Sequence, residues 1–282
     1  MLKRLWEVRE EVRKRRPLIV NITNNVVTNF TANVLLSAGA SPLMSEEIEE
    51  AEALAKIADA VVLNIGTLHV RQVRYCLKAG AQANLFGKPV IFDPVGVGAT
   101  PFRDQTAQQI LSKIEVSLIR GNYGEISFLA GAANEVTGVD NTSAETDADM
   151  LQRLAKDTGA VVAATGQTDY VTDGGAVFTN ATGHILLQSV TGTGCALTSL
   201  AGAFMAVADD KKVGVLAALA FYGAAAEKAA EKAKGPASFA VRFVDTLYTL
   251  TYKDFKKLTE GKIAGIGDSV DSVDSVGACL NE

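Results

Sequence analysis

The segment AVVLNIGTLHVRQVRYCLKAGAQANLFGKPVIFD, residues 60–93, contains the pattern that determines the fold class. Its two ends, Ala60–Asn64 and Val90–Phe92, are nearly continuous apolar runs, which are typical of strands buried on both faces of a parallel sheet. Between them, Val70–Phe86 has a helical pattern. A strand, a helix and a second strand in this order predict a right-handed crossover between parallel strands.

The same alternation continues on both sides of this unit. Further buried strands are predicted at Leu18–Ile22, Val116–Ile119 and Ala160–Ala164, and further helices at Glu47–Lys56, Arg103–Lys113 and Ala144–Thr158. An α/β fold follows, in which a central, mostly parallel sheet has helices on both of its faces.

The rhythm changes after Ala164. Three short runs separated by turn residues predict antiparallel strands at the sheet edge: Asp169–Thr172, Ala176–Asn180 and His184–Gln188. Helical patterns follow at Cys195–Ala208, Val213–Ala233 and Pro236–Lys257. No break in composition divides residues 1–267, so we expect one domain there. Residues 268–282, which begin with Asp-Ser-Val three times, are predicted to be a low-complexity tail, either disordered or an artificial addition to the chain.

The composition argues against a nucleic-acid binder. Of the 282 residues, 48% are hydrophobic and 21% are charged, which is an ordinary globular balance, and the formal net charge is −5. The basic run Arg13–Arg16 is interpreted as the solvated C-terminus of an opening helix, with a membrane or nucleic-acid patch as the alternative. We therefore expect no nucleic-acid partner.

The sequence also predicts a cytoplasmic protein without a membrane span. No apolar stretch approaches the roughly 18–20 residues that a span needs, and the N-terminus lacks the apolar region of a secretory signal. Cys76, Cys195 and Cys279 have spacings that fit neither a zinc site nor a disulfide framework. A reducing compartment is the natural location for such a chain.

Small and polar residues follow nearly every predicted strand. Ligands bind beyond the carboxyl ends of the strands in an open α/β sheet, so these residues are expected to converge at one edge. They are Thr23–Asn25, Asn64–Thr67, Asp93–Gly98, Arg120–Glu125 and Thr165–Gly166.

The run Val190–Cys195, Val-Thr-Gly-Thr-Gly-Cys, stands directly before an apolar helix. Its two glycines permit a close approach of the backbone to a ligand, and a helix N-terminus is an anion site. The alternative interpretation is an ordinary tight turn. Neither a P-loop nor a dinucleotide-binding motif occurs, because no Gly-x-x-x-x-Gly-Lys is present and Leu197 takes the place of the third glycine.

Asp93 and Glu125 each follow a predicted strand. Their carboxylates are hard oxygen ligands of the kind that Mg²⁺ takes, which makes them candidate metal ligands. The alternative is a turn residue for Asp93 and a helix cap for Glu125. His69 and His184 are the only two histidines, so the chain offers almost no material for a histidine-based metal site. His69 is interpreted as a helix-start residue, with contact to a ligand as the alternative; His184 is interpreted as structural and Cys76 as a core thiol.

Taken together, these motifs resemble those of the hydroxyethylthiazole kinases, members of the ribokinase-like superfamily. The resemblance runs from about Pro17 to about Ala264, and its pieces are Asn21–Asn24, Asn29–Asn33, Gly39–Met44, Leu63–Thr67, Asp93–Ala99, Gly121–Ile126 and Val190–Cys195. It implies a mostly parallel sheet between helices, and a homotrimer with active sites at subunit interfaces.

The resemblance also implies a reaction and the residues that serve it. MgATP would phosphorylate 4-methyl-5-(2-hydroxyethyl)thiazole, giving ADP and the thiazole phosphate. Met44, Asn24 and Gly192 would bind the thiazole alcohol, Arg120 and Thr165 would contact ATP, and Asp93 and Glu125 would serve Mg²⁺. The catalytic residues would be Thr193, Gly194 and Cys195, with an anion hole at Gly192–Cys195.

Cys195 has two interpretations. Ribokinase-like sugar kinases usually carry an aspartate base at this position, and a thiol at a helix N-terminus can have a lowered pKa and act as a weak base. Alternatively, the cysteine is a small residue that fits beside the alcohol. Two other functions compete with the thiazole kinase: a related kinase acting on hydroxymethylpyrimidine, and a vitamin-precursor binding protein without turnover.

Overall fold

A nine-stranded sheet organises the described part of the chain, which in this computed structural model comprises residues 1–131 and 144–266. The spatial order is β2-β1-β3-β4-β5-β6-β7-β8-β9. The strands are β1 Leu18–Ile22, β2 Ser41–Met44, β3 Ala60–Asn64, β4 Val90–Asp93, β5 Leu118–Asn122, β6 Val161–Thr165, β7 Asp169–Thr172, β8 Val177–Asn180 and β9 Ile263–Ile266. The six strands from β2 to β6 in this order are parallel, and β7, β8 and β9 are added antiparallel.

Helices cover both faces of this sheet, as the sequence predicted. Within the described ranges they are α1 Leu2–Arg15, α2 Thr28–Ala38, α3 Ala51–Ile57, α4 Val70–Leu85, α5 Pro101–Lys113, α6 Tyr123–Leu129, α7 Ala144–Thr158, α8 Thr193–Val207, α9 Lys211–Ala230, α10 Pro236–Thr249 and α11 Tyr252–Thr259.

Two separate cores lie on the two faces. The first packs β-strand side chains such as Val62 and Ile91 against α1, α2 and α8–α11, and the second packs their neighbours Leu63 and Phe92 against α3–α7. Successive side chains of a strand point to opposite faces, so buried strands that are apolar at nearly every position serve both cores. The near-continuous apolar runs of the sequence are explained by this doubly covered sheet.

The predicted third antiparallel strand, His184–Gln188, is wrong. Ile185–Ser189 forms a 3₁₀ turn, and the Nδ1 atom of His184 caps it by accepting from the Leu186 N–H at 3.2 Å. The place beside β8 is taken instead by β9, which the sequence analysis missed. Only four residues long, β9 follows the four helices α8–α11 and carries too little pattern to be recognised.

Two further boundaries differ from the predictions. The predicted helix Pro236–Lys257 is divided after Thr249, because the Thr251 hydroxyl accepts from the Asp254 N–H at 3.2 Å and starts α11 anew. The predicted strand Val116–Ile119 begins two residues later as β5, where its pairing with β6 extends to Asn122. The strand β2, which contains Pro42, was also missed; proline is tolerated there because β2 is an edge strand.

The helix α9 is long enough, at 20 residues, and apolar enough to cross a membrane, by length and composition alone. The sequence analysis did not recognise a run of this kind. In the fold, 78% of its most apolar window is buried, and Leu216, Leu219 and Phe221 belong to the first core. Alanines and glycines along α9 allow α8 and α10 to pack closely against it. The apolar composition is thus explained by a central position in the helical layer.

The division into one domain over residues 1–267 and a tail over residues 268–282 stays a prediction. The tail lies outside the described residues, as does the segment 132–143.

Candidate active site

Asp93 lies at the centre of a buried polar cluster at the carboxyl ends of the strands. It ends β4, in register with Asn64 at the end of β3. Its Oδ2 atom accepts from Asn64 Nδ2 at 2.7 Å and from the Thr198 hydroxyl at 2.8 Å. Burial raises the pKa of Asp93 to about 6; the Arg120 cation opposes this shift, and the Glu125 charge adds to it. The site therefore holds a negative charge that is only partly compensated.

A chain of amides connects Asp93 to Cys195. Asn64 Oδ1 accepts from Asn24 Nδ2 at 3.0 Å and from the Gly66 N–H at 2.9 Å, while Asn24 Nδ2 also lies 3.6 Å from Cys195 Sγ. A Cβ atom at Gly66 would come within 2.4 Å of Asn24 Nδ2, so glycine is needed to leave room for this amide. The strand ends of β1, β3 and β4 thus meet the first turn of α8.

The N-terminus of α8 points at this cluster without a side-chain cap among the described residues. Gly192 precedes it with a φ of 90°, and a Cβ atom there would lie 2.8 Å from Val27 Cγ1, so both the backbone conformation and the space require glycine. The Thr193 hydroxyl turns back to donate to Leu187 O at 2.8 Å. The first backbone N–H groups of a helix have no partner within the helix, so this end of α8 is suited to an anion.

Arg120, the third residue of β5, connects α8 to the end of β6. Its Nη1 atom donates to Gly194 O at 3.0 Å, and its Nη2 atom donates to the Thr165 hydroxyl. That hydroxyl in turn donates to Gly121 O at 3.1 Å. The side chain is buried, and its Nε atom has no hydrogen-bond partner within the described ranges. One guanidinium is thus fixed between two elements beside the candidate anion site.

Glu125 takes part in a helix cap, which was the alternative interpretation of this residue in the sequence. Its Oε2 atom accepts from the Asn122 N–H and Asn122 Oδ1 accepts from the Glu125 N–H, at 2.8 and 2.9 Å, which forms a capping box at the start of α6. Its Oε1 atom accepts from the Gly96 N–H at 2.8 Å. The carboxylate therefore ties the loop after β4 to the turn after β5, and a role toward Mg²⁺ stays a prediction.

The predicted lowering of the Cys195 pKa is wrong. The thiol is largely enclosed, and burial raises its pKa to about 11, with the nearby Asp93 charge acting in the same direction. Hydrogen bonds from Asn64 and Asn24 and the Arg120 cation oppose the shift without reversing it. A neutral thiol is therefore the form present near pH 7.

Met44 lies apart from the hydrogen-bonded cluster. It ends β2 and lines a cavity of about 460 Å³, together with Asn21, Thr23 and Asn29. Thr23, which lines this cavity, immediately precedes Asn24 in the chain. The structure thus brings Asn24, Asp93, Arg120, Thr165 and Gly192–Cys195 together and places Met44 at an adjacent cavity.

The remaining polar candidates have structural positions. His69 Nδ1 accepts from the Gln72 N–H at 3.2 Å at the start of α4, and His184 caps the turn described above, which confirms both interpretations. Cys76 is fully buried, and burial raises the pKa of this thiol to about 12, which confirms a core residue. Across the described residues, no group of three or more His, Cys, Asp or Glu side chains is arranged to hold a metal ion.

Three residues of the cluster had no assigned role in the sequence. Asn64 was noted only among the polar residues that follow a strand and converge at this edge of the sheet. Thr198 stands four residues after Gly194, and this helical spacing places it one turn along the same face, a usable signal that was missed. Tyr222, on α9, donates its hydroxyl to Thr193 O at 2.8 Å, and no local pattern indicates that contact.

Comparisons with known proteins agree with this architecture. A sequence model of the hydroxyethylthiazole kinase family matches residues 9–253. A hydroxyethylthiazole kinase from Carboxydothermus hydrogenoformans is 58% identical over 266 residues, which cover 94% of this chain and 100% of the relative. The solved structure of a hydroxyethylthiazole kinase from Pyrococcus horikoshii OT3 superposes with a TM-score of 0.85 at 44% identity, covering 94% of this chain and 100% of that chain. A ribokinase-like superfamily protein from Enterococcus faecalis V583, 14% identical with a TM-score of 0.63 over 84% of this chain and 87% of that chain, shares the fold.

Proposed function

Since this chain belongs to the hydroxyethylthiazole kinase family, we propose that it transfers the γ-phosphoryl group of ATP to the hydroxyl group of 4-methyl-5-(2-hydroxyethyl)thiazole. The products are ADP and the thiazole phosphate ester, and the reaction serves the salvage of a thiamin precursor. The observation that carries the proposal is the uncapped N-terminus of α8, which faces a buried chain of polar side chains from Cys195 to Asp93.

The anion hole consists of the backbone N–H groups at the start of α8, from Thr193 to Cys195. Phosphoryl transfer passes through a loose transition state, so positioning and stabilisation of the developing charge supply most of the acceleration. Donors on a helix N-terminus are held in place before the reaction and carry the favourable end of the helix dipole. Gly192 permits this approach because it adds no side chain of its own at the helix end.

The thiazole alcohol binds between Met44 and the start of α8. The cavity at Met44 is lined by Thr23, and the next residue in the chain, Asn24, has its side-chain amide 3.6 Å from Cys195 Sγ. In this arrangement the hydroxyethyl arm passes Gly192 and brings its oxygen beside Cys195. The Cys195 thiol is a neighbour of the reacting oxygen. Only its thiolate form can accept the alcohol proton, and because burial raises the pKa of Cys195 to about 11, this form is a small fraction near pH 7 and its contribution to the rate is small.

ATP binds along the ends of β5 and β6, with Arg120 and Thr165 at its phosphates. The guanidinium is already fixed to Thr165 and Gly194, which lowers the conformational cost of using its charge on an anion. Its buried Nε donor has no partner among the described residues and is available to a phosphate oxygen after a small adjustment.

The residues present fit a magnesium ion that accompanies ATP. Asp93 carries a partly uncompensated charge, and both of its side-chain hydrogen bonds end on Oδ2, which leaves Oδ1 for the ion or its waters. Glu125 adds a second carboxylate nearby. Mg²⁺ is usually held by one or two carboxylates together with substrate phosphates, and when bound it neutralises charge on those phosphates.

A substrate panel tests the proposed function. Purified protein is incubated with ATP and Mg²⁺, and ADP formation is measured with the thiazole alcohol, with 5-ethyl-4-methylthiazole, which lacks the hydroxyl group, and with hydroxymethylpyrimidine. Rapid ADP formation is expected only with the thiazole alcohol. Faster turnover of the pyrimidine would assign the chain a different acceptor, and no turnover of any alcohol would contradict a kinase.

A further inference from the structure

Two carbonyl groups in the first turn of α8 are held from outside the helix. The Tyr222 hydroxyl donates to Thr193 O at 2.8 Å, and Arg120 Nη1 donates to Gly194 O at 3.0 Å. Tyr222 comes from α9 and Arg120 from β5, so the two donors reach the turn from different elements. Each donor therefore fixes the carbonyl oxygen of one peptide group.

Peptide planarity transmits these contacts to the anion hole. In a trans peptide the carbonyl and the following N–H lie in one plane and point in opposite directions. The contact on Thr193 O therefore orients the N–H of Gly194, and the contact on Gly194 O orients the N–H of Cys195. These two N–H groups belong to the proposed anion hole.

Glycines on both sides of Thr193 make such restraint useful. Gly192 and Gly194 lack the Cβ atoms that normally narrow the rotation of adjacent peptide groups. The first turn of a helix also lacks some of the hydrogen bonds that restrain its interior. An external donor therefore removes a rocking motion that would otherwise misdirect the N–H groups.

Tyr222 is a rigid support for this contact. Its side chain is 2% exposed, and its ring packs edge-on against Phe243 with 4.7 Å between centroids. Burial raises the pKa of the phenol far above its usual range, so the hydroxyl stays protonated and remains a donor. Because the side chain is buried, its hydroxyl does not bond to bulk solvent, and the Thr193 carbonyl is its acceptor.

We propose that Tyr222 is a positioning residue for phosphoryl transfer, which orients the Gly194 N–H of the anion hole through the Thr193 carbonyl. This inference rests on the proposed function of the site. Tyr222 acts through the backbone of α8 and does not touch either substrate.

Tyr222→Phe is the direct test, because it deletes the hydroxyl and keeps the ring. Loss of an anion-hole donor typically costs about 10²–10³-fold in kcat, and a donor that remains but is less well aimed costs less, about tenfold. We therefore expect kcat to fall about tenfold while KM for ATP and for the thiazole alcohol stays within about twofold, since the contact matters most in the transition state.

Thr259→Val is the matched control. The Thr259 hydroxyl is also fully buried and also donates to a backbone carbonyl, Phe255 O, at 2.8 Å, but it lies at the end of α11. Both variants lose one buried hydrogen bond, so comparable decreases in melting temperature are expected, and only Tyr222→Phe should lower kcat. Wild-type kcat in Tyr222→Phe, or an equal fall in both variants, would overturn the proposal.

A second measurement separates this inference from the proposed function. ADP with aluminium fluoride mimics the phosphoryl group in transfer, and its affinity can be measured by calorimetry for the wild type and for Tyr222→Phe. The variant should bind this complex about tenfold more weakly and bind ADP alone equally well. If the wild type fails to phosphorylate the thiazole alcohol, the proposed function fails, and equal affinities of the two proteins for the aluminium fluoride complex would still overturn the role of Tyr222.

Discussion

At the scale of single residues, a second buried carboxyl lies close to the active site. Asp169 begins β7; its Oδ1 atom accepts from the Gly166 N–H at 3.2 Å, and its Oδ2 atom accepts from Asn180 Nδ2 at 2.9 Å. Burial raises its pKa to about 6, and the hydrogen bonds and the Arg120 cation only partly oppose this. Asp169 thus holds the turn that follows Thr165, but the burial of its charge lowers the stability of the fold.

This cost predicts a pH dependence of stability. Between about pH 6 and pH 4, folded Asp169 binds a proton that the unfolded chain does not, so its contribution to the free energy of unfolding rises as the pH falls through this window. The full effect is on the order of 2 kcal/mol. In Asp169→Asn this contribution is missing. On acidification from pH 7 to pH 4, the free energy of unfolding of the wild type, measured by urea denaturation, should therefore rise relative to that of the variant. A difference independent of pH would contradict the assignment.

Cys195 should assist catalysis without being indispensable. A general base adds typically about 10²–10⁴-fold, and a thiol whose pKa is raised to about 11 belongs at or below the low end of that range. Cys195→Ala is expected to lower kcat by about tenfold to a hundredfold and to leave KM for the thiazole alcohol nearly unchanged. Cys195→Asp, with its ionised carboxylate, should keep or raise kcat. Steady-state kinetics in which Ala equals wild type and Asp is inactive would make the cysteine only a space-filling residue.

The convergence of the site residues was predictable from the sequence, but their chemical state was not. Asn24, Asp93 and Arg120 follow strands, and parallel strands end at one edge, so sequence position alone brings them together. The pKa of Cys195 depends on how completely distant segments enclose it. The contact of Tyr222 depends on how α9 packs against α8. Such long-range packing leaves no local pattern to read.

At the scale of elements, the capping box of α6 joins two loops of the site. The Glu125 carboxylate accepts from the N–H groups of both Gly96 and Asn122. It therefore holds the loop after β4, which carries Asp93, against the turn after β5. This arrangement makes Glu125 a structural residue in addition to a proposed metal ligand.

Glu125→Gln should accordingly affect stability and catalysis separately. The amide keeps one acceptor and turns an NH₂ group toward a backbone donor, which costs about 1–3 kcal/mol. We expect a lower melting temperature and a lower kcat, with kcat partly restored by raised Mg²⁺ and the melting temperature unchanged by it. Glu47→Gln serves as a control, because Glu47 accepts from a backbone N–H in an exposed turn. A variant with wild-type kcat would remove Glu125 from the active site.

Element boundaries show where the sequence pattern is sufficient. The buried strands were found because each is a nearly continuous apolar run, and most of the longer helices were found because a helical pattern extends over several turns. The edge elements β2 and β9 are four residues long, and the Thr251 cap that divides α10 from α11 interrupts an otherwise helical run. Short elements are determined by pairing and capping contacts, which the sequence pattern does not encode.

At the scale of the whole molecule, exposed apolar residues on α2 and α10 favour contact between copies of the chain, as the proposed homotrimer requires. Leu36 on α2 and Val241 and Tyr248 on α10 are 53%, 65% and 65% exposed, and these two helices are in contact. Soluble homo-oligomers normally close symmetrically, and an exposed apolar group of this kind suits an interface between copies.

Light scattering at micromolar concentration should therefore give the mass of three chains. Val241→Glu should lower the mass toward that of one chain and reduce activity, because a charge buried at an interface is costly. Leu85→Glu is the control: Leu85 is 72% exposed, at the end of α4 on the opposite helical layer. A monomeric wild type with full activity would exclude active sites shared between subunits.

The proposed reaction moves a phosphoryl group from ATP to the hydroxyl of the thiazole alcohol. Mass spectrometry of the reaction mixture, with ATP labelled by ¹⁸O in its γ-phosphoryl group, tests it most directly. We expect a thiazole product that carries one phosphoryl group with the label, formed together with an equal amount of ADP. Labelled inorganic phosphate with unchanged thiazole alcohol would contradict it.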